Sequence, residues 1–146
     1  MNMKKIIIGL LVLGLLGGIY VWFFVYNKPH KDIANAEADI KIEASVLSQE
    51  FKRNLDSAKL KYADKVIEIT GEADFINTDD SLSTIGFNED MNFYISVELL
   101  ETDKRELEKI KLGDKITVKA LFVGYLEEDP TMDLPNEIQL KKGSLK

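Results

Sequence analysis

The sequence predicts a mainly β domain with helices, carried behind an N-terminal transmembrane helix. Three observations predict it. Ile6 to Tyr26 is a run of 21 residues without a charge. Beyond it, apolar residues recur once at helical spacing, from Leu47 to Ala58, and then at a spacing of two in several short runs. Clusters of Asn, Asp, Gly and Pro, the residues that favour turns, separate those runs. The expected boundaries are a cytoplasmic tail over 1–5, a transmembrane anchor over 6–26, a linker over 27–43, and a β domain with its N-terminal helix over 44–146.

The apolar run comes first in the chain. At ~1.5 Å of rise per residue it spans roughly 30 Å, the thickness of a bilayer's hydrocarbon core. Tyr20, Trp22 and Tyr26 crowd one end, as amphipathic rings do at a membrane–water interface. A cleaved signal peptide wants a shorter apolar core followed by small residues, whereas bulky Val21-Trp22-Phe23-Phe24-Val25-Tyr26 stands here. A buried core helix would carry a polar stripe, and this run has none. Lys4 and Lys5 precede the run and Lys28 and Lys31 follow it, so the charge bias is weak. The N-terminal amine and the short tail tip it toward an N-terminus inside. That predicts a single-pass protein of the inner (cytoplasmic) membrane with its domain on the extracytoplasmic side.

The linker opens at Pro29 and reads as coil or frayed helix. Leu47, Phe51, Leu55 and Ala58 then fall on one face of a helix of roughly four turns. From Ile67 to Phe75 apolar and polar residues alternate, the signature of a half-buried strand, with Gly71 inside it where a coiled barrel strand bends. Asn77 to Ser81 turns the chain into a weaker strand over 82–87, and Asn88-Glu89-Asp90 turns it again. Met91 to Leu99 alternates most clearly of all. Asp103 and Glu106 have capping-box spacing for a short helix through Leu112, stopped by Gly113. Lys115 to Tyr125 is a fourth strand, Leu126 to Asn136 an acidic loop, and Ile138 with Leu140 a short fifth strand before a Lys141-Lys142 tail. The order β-β-β-α-β-β is that of the five-stranded Greek-key barrel called the OB-fold. A small α+β sheet built from the same elements shares the pattern.

The residues around the first strand resemble a known family. Leu47, Phe51, Asn54 and Ala58, then Lys61-Tyr62-Ala63-Asp64-Lys65, then Val66-Ile67-Glu68-Ile69-Thr70-Gly71, resemble the opening of the tRNA_anti-like family. There a helix leads through Lys-Tyr-x-x-Lys into a first strand ending in Gly. Lys111-Leu112-Gly113-Asp114-Lys115-Ile116-Thr117-Val118-Lys119 resembles its passage from helix to strand four. The likeness covers roughly 44–140. It implies an OB-fold in a bacterial protein that is membrane-anchored or exported, of unknown function.

Composition excludes more than it assigns. The chain has no cysteine, which removes disulfides, thiolate nucleophiles, Cys-ligated zinc, iron–sulfur clusters and lipidation at cysteine. Its one histidine, His30, lies just past the apolar run. No spacing isolates a carboxylate pair or a Ser–Lys arrangement, so neither an enzyme nor a cofactor is expected. Residues 1–31 hold four basic side chains and no acid; removing them leaves 15 basic against 25 acidic residues in 32–146, a balance of −10. Outward positions of the first and third strands are Glu68, Thr70, Glu72, Asp74 and Asn92, Tyr94, Ser96, Glu98, which is poor equipment for holding phosphates. Lys52, Arg53, Lys59, Lys61 and Lys65 alternate with acids and read as a solvated face.

What remains is a binding module whose ligand is a protein, a peptide or a small molecule of the cell envelope. Phe87, Tyr94 and Tyr125 are the candidate exposed aromatics, and Glu127, Glu128 and Asp129 lie in a loop that frames an OB cleft. That acidic loop suggests a basic partner. Two alternatives stand beside this reading: a nucleic-acid binder for tRNA or a single strand, and a divalent-cation site. For the latter Asp79, Asp80 and Asp133 are weak candidates, without any Asp-x-Asp-x-Asp-Gly frame.

Overall fold

The computed structural model describes residues 3–23, 32–79, 82–90 and 92–146, with Lys4, Ile6, Glu89 and Asp90 described by backbone alone. The chain divides into two compact units, Met1–Lys31 and Asp32–Lys146.

The first unit contains helix α1 (Met3–Val21), whose described side chains are exposed from Ile7 onward. Among the described residues no helix is long and apolar enough to cross a membrane. The span expected over 6–26 is therefore not shown. The regular helix stops at Val21 and gives way to a wider turn at Trp22–Phe23, and the last residues of the apolar run, with Tyr26, lie outside the described residues. So do Lys28, Pro29, His30 and Lys31.

The second unit runs β1 (Ile40–Glu43), α2 (Ala44–Arg53), α3 (Leu55–Tyr62), β2 (Val66–Glu72), β3 (Phe75–Thr78), β4 (Ser83–Asp90) and β5 (Phe93–Leu99). A 3-10 turn over Glu101–Asp103, α4 (Lys104–Leu107), β6 (Lys115–Leu126) and β7 (Asn136–Leu145) complete it. The strands form one seven-stranded sheet in the order β1-β2-β6-β7-β5-β4-β3. It is mainly β, OB-like in connectivity, and not closed, which corrects the closed five-stranded barrel. The first strand breaks at Ala73-Asp74, where the Ala73 N–H donates to the Asp114 carbonyl and the Asp74 N–H to that of Gly86. Its first half pairs β6 and its second half pairs β4, so one expected strand supplies two, at opposite sides of the order. The break also changes what Phe75 does. Expected inside, it is half-buried and lies across Gly86, edge-on to Tyr94 at 6.2 Å.

β1 is the other addition. Residues expected to be linker pair in parallel with β2 from Ile40↔Ile67 to Glu43↔Thr70, and Ile33 ahead of them is 2% exposed. The second compact unit begins at Asp32 and so takes in these residues. The four-turn helix is really two, because Asn54 leaves the helical region (φ −158°, ψ 94°) and its Oδ1 accepts the Ser57 N–H at 3.0 Å. Asparagine's side chain competes for backbone donors in this way, capping α3 at the cost of continuity. Leu47, Phe51 and Ala58 nevertheless stay buried on the expected face.

β5 alternates as expected, with Phe93, Ile95, Val97 and Leu99 inside. Together with Ile67, Ile69, Ile85, Val118, Ile138 and Leu140 they make the core that α2 covers. Each side chain of this kind contributes about 1.5–3 kcal/mol on full burial. The expected capping box does not form: the Asp103 carboxylate accepts the Leu145 N–H at 3.1 Å instead, and α4 has only four residues. Gly113, in the left-handed region at φ +89°, turns the chain into β6 while its N–H donates to the Ala73 carbonyl. β7 is ten residues long and takes in Lys141 and Lys142, which were expected to be tail. β6 departs from strict alternation where the register slips between Lys119 and Leu121, leaving Val118, Lys119 and Ala120 consecutively buried.

Glu50 ties α2 to α3. It pairs with Lys61 at 2.7 Å and accepts the Tyr62 hydroxyl at 2.7 Å. Lys61 is the main reason its carboxyl sits below the ordinary value, with the Tyr62 hydroxyl second. A carboxyl depressed in the folded state adds stability above its unfolded pKa and loses it as pH falls through the folded one. Both side chains are substantially solvated, so the pair is worth about 0.2–1 kcal/mol. Glu50→Gln is expected to flatten the acid side of the stability profile in urea titrations. Superimposable acid limbs would show that the pair contributes nothing.

Candidate functional site

A groove of about 720 Å³ opens where α2 and α3 cross the strands. Phe51, Lys52 and Leu55 come from the helices, Phe93 from the start of β5 with Asn92 before it, Tyr125 from β6 and Asn136 from β7. The floor is aromatic. Phe51 stacks on Tyr125 at 5.5 Å and on Tyr62 at 5.8 Å, and Phe93 meets Tyr125 at 6.1 Å. The helices bring Lys52 Nζ to 5.0 Å above the Phe93 ring and Lys59 Nζ to 5.4 Å above that of Tyr125. Cations so placed are attracted by the negative ring face.

Asn136 organises the polar lip. Its Oδ1 accepts the Tyr125 hydroxyl at 2.7 Å and the Glu128 N–H at 3.1 Å. Its Nδ2 donates to the Asn92 carbonyl and to Glu128 Oε2, each at 3.4 Å. Burial, followed by the nearby Glu127 and Glu128 charges, raises the Tyr125 hydroxyl's pKa, so it stays protonated and remains a donor.

A second hollow of about 360 Å³ lies beside this lip, lined by Asn92, Tyr94, Glu128, Asp133 and the prolines Pro130 and Pro135. Four expected site residues, Tyr94, Tyr125, Glu128 and Asp133, thus meet around Asn92 and Asn136. The others do not join them as foreseen. Phe87 is 1% exposed and belongs to the core, against Gly71, so it is no surface aromatic. Glu127 pairs with Lys59 at 3.8 Å. Asp129 Oδ1 accepts the Thr131 hydroxyl and N–H, which lower its pKa, and the residue holds the loop closed through paired backbone bonds with Leu134.

Asp79 is exposed in the β3–β4 turn, and Asp80 lies outside the described residues. Among the described residues no group of three or more His, Cys, Asp or Glu could hold a metal ion. The lysines above the rings, read from sequence as a solvated face, are the feature that single-sequence reasoning missed. So are Asn92 and Asn136, which no local pattern marks.

The tRNA_anti-like family model matches residues 1–133. The chain belongs to the tRNA_anti-like family. No curated protein matches it. Among solved structures, this family member is similar to a lipoprotein from Klebsiella pneumoniae subsp. pneumoniae described as a candidate nucleic acid binder. The identity is 12% and the TM-score 0.55, over 82% of this chain and 99% of that one, which shows the fold alone. It is also similar to a candidate aspartyl-tRNA synthetase from Leishmania major Friedlin, at 16% identity and TM-score 0.44, over 81% of this chain and 21% of that one. The asparaginyl-tRNA synthetase of Entamoeba histolytica follows at 15% identity and TM-score 0.37, over 56% of this chain and 20% of that one.

Proposed function

We propose that this tRNA_anti-like protein is a non-enzymatic binding module, anchored by its N-terminal apolar segment and displayed on the extracytoplasmic side of the membrane. Its ligand site is the groove between α2 and the strands, and its ligand is an apolar side chain presented by an envelope protein or peptide. The aromatic-floored groove carries this reading. Phe51, Leu55, Phe93 and Tyr125 surround a concavity with amide groups of Asn92 and Asn136 at one lip. Such a mixture suits a peptide: apolar walls take a side chain, and amides take backbone polar groups. At the rim Glu127 lies 3.8 Å from Lys59, and Glu128 accepts a 3.4 Å bond from the neutral Asn136 amide, which leaves its charge uncompensated. The acidic loop therefore still favours a basic residue beside the apolar anchor of the peptide.

Selection of a random peptide library on the full chain in detergent tests this. Enrichment of peptides with an aromatic or large aliphatic anchor is expected, their affinity falling about tenfold or more in Leu55→Asp and Tyr125→Ala. Selected peptides indifferent to both substitutions would remove the reading.

One observation favours nucleic acid as a second reading: Lys52 and Lys59 stand over aromatic faces, the pairing that single-strand sites combine. The balance of −10 over 32–146 opposes it. Titration with a short single-stranded oligonucleotide at low salt decides, since binding abolished by Lys52→Glu would establish this second reading and its absence would end it.

A further inference from the structure

Residues 32–43 cover the edge of β2. β1 is four residues long, pairs in parallel, and is the last strand on its side. Ahead of it, the Lys119 side chain of β6 reaches out from the sheet, 7% exposed, and donates to the carbonyls of Ala34 at 2.8 Å and Ala36 at 2.6 Å. Asp39 accepts the Val66 N–H at 2.8 Å through its carboxylate, while its own N–H donates to the Val66 carbonyl at 2.8 Å. Lys41 meets Glu68 at 3.4 Å, and Glu68 also holds Lys146.

Three of these five contacts address the backbone of the segment, and the Asp39 carboxylate and the Lys41 ammonium make the other two. Among its side chains only Ile33 is fully buried, with Ile40 and Ile42 half covered. Docking takes the Lys119 ammonium out of water and returns two neutral carbonyls as partners, whereas release rehydrates it. A short parallel edge with one plug residue and such a latch belongs to the low-stability end of a fold. Removing it leaves the core of β2, β6, β7, β5 and β4 paired, and bares backbone groups of β2 from Val66 to Thr70 together with the Lys119 donors.

We propose that residues 32–43 are a releasable strap, and that the β2 edge they cover is a strand-addition site occupied in cis. The edge accepts an extended segment in parallel, as sheet edges do in β-augmentation, with Lys119 gripping two carbonyls and one apolar residue filling the place of Ile33. This site is separate from the groove and does not depend on what the groove binds.

Hydrogen exchange on the full chain tests the release. The hydrogen-bonded β1 amides are expected to exchange through a local opening, at least about tenfold faster than those of β5 and β6. The acceptor is tested with Ile33→Asp, which should leave the strap undocked. A fluorescein-labelled peptide of sequence 32–43 should bind that variant and not the wild-type chain, where the tethered strap competes at high effective concentration. Three results overturn the proposal: β1 amides that exchange together with β5 and β6, global unfolding of Ile33→Asp, or no peptide binding to the folded variant.

Discussion

Truncating Phe51 to alanine is expected to lower the unfolding free energy by about 3–5 kcal/mol. Phe51 is 2% exposed and touches rings from three directions. Tyr62 from α3 lies at 5.8 Å, Phe122 at 5.8 Å and Tyr125 at 5.5 Å, both from β6. Aromatic pairs in such offset geometry add about 0.5–1.5 kcal/mol each beyond their buried area. The backbone of α2 and the sheet cannot collapse into the space a benzyl group leaves, so a cavity term adds to the lost transfer energy. A domain of this size has roughly 5–15 kcal/mol of stability in total. The variant should therefore unfold at markedly lower urea. Leu60→Ala is the control, since Leu60 is 81% exposed on α3 and its loss should matter by less than about 0.5 kcal/mol. A loss below about 1 kcal/mol for Phe51→Ala would show that the rings do not share one packed core.

Much of this fold was legible because burial leaves a periodic trace. The alternation of Phe93, Ile95, Val97 and Leu99, and the helical spacing of Leu47, Phe51 and Ala58, are both consequences of one buried face. Where the trace failed, a local polar contact or a non-local pairing was responsible. Asn54 sits in a run of helix formers and breaks it by capping the Ser57 N–H, an outcome decided by side-chain competition that a hydrophobic pattern does not register. The strand break at Ala73-Asp74 is set by partners far along the chain, Gly86 for Asp74 and Asp114 for Ala73, while alternation continues undisturbed through it. β1 was invisible for a different reason. Ile40-Lys41-Ile42-Glu43 alternates over too few residues to be distinguished from coil, and its pairing with β2 is what makes it a strand.

The site was half legible. Tyr125 and Glu128 stood out as an aromatic and an acid near an OB-type loop, and both reach the groove lip. Phe87 was placed outside because its strand gave a weak pattern; the core instead receives Ile85 and Phe87 on successive same-face positions. Lys52 and Lys59 were dismissed by composition, since a count of neighbouring charges says nothing about the rings those charges cover. Asn92 and Asn136 could not be found at all. Each acts through a backbone or amide group fixed by pairing between β5 and β7.

The sequence did mark Gly71, and its substitution is the second large effect expected. A Cβ built there would lie 2.7 Å from Phe87 Cδ1 and 2.8 Å from Ala44 Cβ. Phe87 is 1% exposed and held within the core, so its ring has no free rotamer to retreat to. Ala44 opens α2, and its Cβ moves only if the helix moves. Gly71→Ala must therefore lift the first turn of α2 off β2 or displace Phe87, an overpacking cost of about 1–3 kcal/mol. Gly71→Val should cost more, because a branched side chain worsens both contacts. α2 carries Phe51 and Lys52, so lifting its start also disturbs the groove. Loss of groove binding is then expected to accompany the loss of stability in Gly71→Ala, whereas Leu55→Asp should lose binding with the α2 seat intact. Urea denaturation gives the first quantity and peptide affinity the second. Wild-type stability in Gly71→Ala would mean that the close approach of α2 to β2 is not a constraint on the fold, and that the glycine serves only the bend of its strand.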